Sequence, residues 1–193
     1  MFVNIFLFDD FDTLDAFGPA EVFGSVQEHF YIRYISMNGG IVNSSQGVKV
    51  WTEPLNPDEI EDILILTGGR GVRSFVRLEE KNLPLLKKAV QEADLCLMTE
   101  NASAILASSG LLFQRQVAYY DYDENWKRMF TVGITHVPNV RWLMDGKFYS
   151  CSSAMASLDM ALGVIADTVD IDVALHVAEK IGCEWDPESE GVN

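Results

Sequence analysis

The feature that most constrains this chain is a set of short, almost unbroken apolar runs at residues 2–8, 62–67 and 95–99. They lack the alternation of a strand with one wet face, so both of their faces must be covered. The segments between them carry helical spacing. Leu14, Phe17 and Val22 form a stripe over residues 13–23, and Leu83, Leu86 and Val90 form one over 79–93. Residues 101–109 form a helix rich in small side chains, stopped by Gly110. Strands alternating with helices predict an α/β fold with a mainly parallel central sheet and helices on both faces.

Further signals fill in the order. Residues 31–36 read as a strand, and Gly39-Gly40 turns the chain into two short strands at 41–43 and 48–52. A strand edge is expected at 117–120. Asp145-Gly146 predicts a hairpin between 140–144 and 147–151. Helices at 153–166 and 171–182 close the chain. Thr13 is expected to cap the first helix, and Gly18-Pro19 to kink or break it. No repeat or linker interrupts the pattern, so one domain is expected over residues 1–185, with an acidic tail at 186–193.

Charge narrows the function. Fourteen Lys and Arg against 29 Asp and Glu give −15, which argues against nucleic acid and against an anionic membrane surface as partners. No run approaches the roughly 18 apolar residues that span a bilayer. The N-terminus lacks the basic region of a secretory signal. Cys96, Cys151 and Cys183 have no zinc-like spacing and are too few for a disulfide framework, so a reduced cytoplasmic location is expected.

In an open parallel sheet, sites form outside the carboxyl ends of the strands. That rule selects Asp15, Gly68-Gly69, Glu100 and Tyr119-Tyr120. At Leu97-Met98-Thr99-Glu100-Asn101-Ala102-Ser103 a strand passes into a helix within about one residue, the geometry of a nucleophile elbow. The side chain at that turn is Glu100, a carboxylate facing a helix N-terminus. Gly68-Gly69-Arg70-Gly71 lacks the spacing and the Gly-Lys-Ser/Thr ending of a phosphate loop. Arg70 and Arg73 remain candidates for an anion at the pocket mouth.

Four motifs in order resemble the DJ-1/PfpI (ThiJ) superfamily, and the similarity covers nearly the whole chain. They are Leu14-Asp15-Ala16-Phe17-Gly18-Pro19-Ala20-Glu21-Val22-Phe23, Ile65-Leu66-Thr67-Gly68-Gly69, the helix from Ala104 to Leu112, and Asp145-Gly146-Lys147 through Leu162. The resemblance implies a single-domain flavodoxin-like, class I glutamine amidotransferase-like three-layer sandwich, and a homodimer. It aligns the family's elbow Cys-Thr-Gly-Ala with Glu100-Asn101-Ala102-Ser103, and the histidine of many members with Tyr120. Thiol-dependent peptidase, amidase or glyoxalase chemistry is therefore not expected. Asp15 corresponds to the family's acid beside the elbow, and Gly68 and Gly69 to backbone N–H groups resembling an oxyanion site.

These placements predict a close Asp15–Glu100 pair that shares a proton. Such a pair suits acid–base work; it also suits a hard cation, but no further ligand is evident, so neither metal nor cofactor is expected. Asn101 and Tyr120 join Gly68, Gly69 and Arg70 as candidate ligand contacts. Tyr119, Trp126 and His136 are secondary pocket candidates; Cys96 and Cys151 are read as packing residues. Three functions follow: a pseudoenzyme or sensor for an unknown small molecule, a hydrolase or lyase of hydratase or isomerase type using the two acids, and a dimeric chaperone-like or structural partner.

Overall fold

The apolar runs become the middle of the sheet. In the computed structural model, which describes residues 1–77, 79–121, 125, 128–130 and 132–187, β1 (Phe2–Phe6) lies between β2 (Tyr31–Ser36) and β5 (Ile63–Leu66). Next come β6 (Leu95–Thr99) and β10 (Phe148–Cys151). All these neighbours are parallel, in the register Val3–Ile63, Ile63–Leu95 and Phe148–Cys96. Every side chain of β5 is buried. Each such Leu or Ile contributes about 1.5–3 kcal/mol by leaving water. Asn4, the polar residue inside the first run, is satisfied. Its amide donates to the carbonyls of Glu61 and Ile63, and its oxygen accepts from Arg33.

Antiparallel strands finish both edges. β3 (Gly40–Asn43) pairs with β4 (Lys49–Pro54), and β9 (Trp142–Asp145) with β10 across the Asp145-Gly146 turn. The full order is β3-β4-β2-β1-β5-β6-β10-β9. β7 (Arg115–Ala118) and β8 (Ile134–Val137) form a separate two-stranded parallel sheet.

Two groups of helices accompany the sheet. α1 (Thr13–Gly24) packs on α5 (Ala156–Thr168), which packs on α6 (Ile171–Ile181). α2 (Val72–Arg77) packs on α3 (Glu79–Glu92) and α4 (Ser103–Ser108). Gly18 allows the close approach of α1 to α5: a Cβ there would stand 3.1 Å from Leu158 and from Ser157.

Three local expectations are corrected. α1 runs unbroken through Pro19, because a proline removes one N–H without ending a helix whose face is packed. Asp12, not Thr13, holds the N-cap position, and the Thr13 hydroxyl instead bonds Ser44 and Gln46. The expected helix at 101–109 begins as a 3-10 turn over Glu100–Ala102 before α4. α2 and β8 had no counterpart in the sequence reading. Trp126 and most of the tail, from residue 188, lie outside the described residues. Among the described residues no helix is long and apolar enough to cross a membrane.

Candidate functional site

The ends of β1, β5, β6 and β10 converge on one place. The loop after β1 is pinned to the β5 end by Asp12 N–H, which donates to the Gly68 carbonyl at 3.0 Å. One turn later α1 carries Asp15, fully buried at 0% exposure. After β5, Gly68 and Gly69 run so close to this loop that no side chain fits. A Cβ on Gly68 would enter the Asp15 carboxylate, and one on Gly69 would meet Asp10 O and Asp12 N at 2.6 Å.

At the end of β6, Glu100 takes φ 45°. A left-handed conformation costs a non-glycine residue about 1–2 kcal/mol, so the turn is held by its surroundings. Glu100 Oε1 accepts the Ala154 N–H at 3.1 Å, which ties the turn to the segment after β10. Asn101 is buried, and its amide clasps the Gly69 peptide: Oδ1 accepts the Gly69 N–H at 2.9 Å and Nδ2 donates to the Gly69 carbonyl at 3.1 Å. Gly68 N–H donates to Thr99 Oγ1 at 2.9 Å. Both glycine N–H groups expected to face a ligand as an oxyanion site are thus satisfied inside the chain.

Asp15 and Glu100 do meet, and a third acid joins them. One carboxylate oxygen from each of Asp12, Asp15 and Glu100 lies within 4.8 Å of the others. Burial, then the charges of Glu100 and Asp12, push Asp15 from its ordinary value of 3.8 up to about 8. Neither Asp15 oxygen has a partner at hydrogen-bond geometry. The Thr99 hydroxyl, which accepts from Gly68 and keeps its own O–H to donate, and the Gly68 N–H oppose only part of the rise. Glu100 is also raised, by burial first and Asp12 next, with the Ala154 N–H holding it down. Both carboxyls are thus pushed toward the protonated form, Asp15 to a value above neutral pH. Among the described residues no cationic side chain contributes to either shift.

Asp12, half-buried, accepts from Gln46 Nε2 at 3.0 Å. With Thr13, Leu14, Phe17, Gln46 and Ala154 it lines a groove of about 390 Å³ open to solvent. Asp12 stands at the N-cap of α1, three residues before Asp15. Nothing in the sequence announced the Ala154 N–H.

The other candidates sit elsewhere. Arg70 is exposed and takes no part in shifting the acids. Tyr120 is buried, its ring 6.0 Å from that of His136, in a crevice with Ser103, Phe130 and Ile134 that has no room for water. Cys96 lies inside β6, where burial pushes its thiol to about 12. Cys151 is also fully buried but closer to the chemistry. Its thiol donates to Ser153 O at 3.4 Å, and burial, Asp15 and Glu100 drive its pKa strongly upward.

An α/β domain whose strand ends and elbow build such a site is of the flavodoxin-like class. The profile of the DJ-1/PfpI family matches residues 1–167, and the chain belongs to that family. No curated protein matches it in sequence. Among solved structures it is similar to a THiJ/PfpI family protein from Pseudomonas syringae (TM-score 0.83, 19% identity, covering 96% of this chain and 76% of that one). It is also similar to Drosophila melanogaster DJ-1beta (0.82, 16%, 95% and 98%). A third is an AraC family transcriptional regulator from Pseudomonas putida (0.81, 16%, 93% and 98%). At these identities the likeness is one of fold.

Proposed function

We propose that this DJ-1/PfpI protein works without an elbow thiol, as a pseudoenzyme or sensing domain that binds a small molecule in the groove beside Asp12. One observation carries the reading: the side chain at the strand-to-helix turn is the Glu100 carboxylate, anchored by the Ala154 N–H. Two features support it. The Gly68 and Gly69 N–H groups are occupied, which removes the donors that would stabilise an oxyanion. The groove has the volume and mixed lining of a small-ligand site. The Pseudomonas putida chain, described as a transcriptional regulator, is consistent with a regulatory use of the same fold.

The test is a thermal-shift screen of the full chain against a metabolite library, run beside amide, isocyanide and 2-oxoaldehyde substrates. A saturable shift weakened by enlarging Leu14 or Ala154 supports the reading. Turnover that is abolished by iodoacetamide overturns it.

A second reading rests on the juxtaposition of Asp15 and Glu100. Two acids side by side suit proton transfer in a hydratase or isomerase. Turnover that Glu100→Gln leaves unchanged removes it. Under either reading we take the chain as a cytoplasmic homodimer, on family resemblance and its three free cysteines. Light scattering at micromolar concentration tests the dimer.

A further inference from the structure

Buried acids in a folded chain need a partner, a proton or an ion. Asp12, Asp15 and Glu100 gather where, among the described residues, no positive side chain contributes to the shifts of Asp15 or Glu100. Asp12 and Glu100 are half-exposed, whereas Asp15 is fully enclosed. Its carboxylate, with neither oxygen hydrogen-bonded, is directed at the other two acids.

Spacing allows one ion to bridge the three acids, and dehydration discriminates between occupants. The three oxygens lie within 4.8 Å of one another. Mg²⁺ dehydrates reluctantly and takes one or two carboxylates, whereas Ca²⁺ accepts three, one of them here on a fully enclosed side chain. Three carboxylates supply fewer ligands than the six to eight that calcium takes, and the groove beside Asp12 admits the waters that complete the shell. The cluster is also held in place from outside. Gln46 Nε2 positions Asp12, and the Ala154 N–H positions Glu100 through Oε1.

We propose that Asp12, Asp15 and Glu100 form a binding site for one hard divalent cation, calcium in preference to magnesium, open to solvent through the groove at Asp12. The site does not depend on an organic occupant of the groove. Its failure leaves the small-molecule reading standing, and failure of that reading leaves the site standing.

The experiment uses the full chain, stripped with EDTA and titrated with CaCl₂, then with MgCl₂, by calorimetry and thermal unfolding. The expected result is one saturable equivalent of Ca²⁺ with a dissociation constant no weaker than about 1 mM, a raised Tm, and Mg²⁺ weaker by roughly tenfold. Asp12→Asn and Glu100→Gln should each weaken Ca²⁺ by at least about tenfold. Asp58→Asn, at an exposed acid paired with Lys88, should not. Equal binding in wild type, Asp12→Asn and Glu100→Gln overturns the proposal, because it means diffuse attraction to a chain of charge −15. So does the absence of saturation in the wild type. Should Glu100→Gln fail to fold, Asp12→Asn and crystals soaked in MnCl₂ decide: an anomalous peak between the three acids supports the site, and none there overturns it.

Discussion

Two buried aspartates on packed helices have opposite surroundings. Asp159, on α5, is 3% exposed; it accepts from Arg141 Nε at 2.6 Å and from a second Arg141 nitrogen, and from the Cys183 thiol at 3.8 Å. Asp15, on α1, is 0% exposed and has acids for neighbours. The first is a charge buried with its counterion, which the fold tolerates. The second is a charge buried without one, which the fold tolerates only by neutralising it. Asp159 therefore belongs to the architecture, and Asp15 weakens the architecture for the sake of the site.

The largest expected effect removes that weakness. The folded pKa of Asp15, about 8, lies above its ordinary 3.8. Between those values the folded state binds the extra proton, so stability is full below pH 4 and is lost as pH rises toward 8. The slope is about 1.4 kcal/mol per pH unit. Asp15→Asn, isosteric with the protonated acid, should flatten this slope in metal-free protein. It should gain on the order of 4 kcal/mol at pH 7 and nothing at pH 4. Urea unfolding at both pH values measures it; parallel pH curves for wild type and variant would erase the contrast with Asp159. The opposite change comes next. Arg141→Ala leaves Asp159 buried and alone and should cost about 2–3 kcal/mol at pH 7, read from the urea midpoint.

Glu100→Gln sharpens the comparison from inside the cluster. It removes the largest charge acting on Asp15, while its amide oxygen can still accept from Ala154. The upper end of the pH-dependent window should fall by roughly one unit, worth about 1.4 kcal/mol at most. A window that stays in place would mean that burial alone lifts Asp15.

Much of this was legible because local signals and tertiary burial agreed. β5 and β6 are apolar runs that a sheet covers on both faces, and the Asp145-Gly146 turn needs only the positive φ that Gly146 supplies. The meeting of Asp15 with Glu100 was legible through motif order. The failures occur where long-range contacts decide. Pro19 stays helical because α1 is clamped by α5, and Asn101 turns from a ligand contact into a clasp on a glycine 32 residues away. Asp12 was overlooked because it lies in the loop that precedes the helix. Its membership depends on the Asp12–Gly68 backbone bond, which sequence spacing does not encode.

The smallest expected effect uses the cysteines to report on both regions. Cys151 lies against Asp15 and Glu100, and Cys183 against Asp159. Cys96 and Cys151 are fully buried, and their raised pKa values leave almost no thiolate at pH 8. Cys183 is half-exposed; burial and Asp159 raise its pKa and Arg141 lowers it. A disulfide reagent should therefore find one slow thiol in the native protein and three in urea. Arg141→Ala should slow Cys183 further, because the loss of the guanidinium leaves Asp159 to disfavour the thiolate unopposed. Faster labelling in that variant would mean that local opening, and not charge, controls access there, and the Arg141–Asp159 pair would then act chiefly as a clasp on the C-terminal segment.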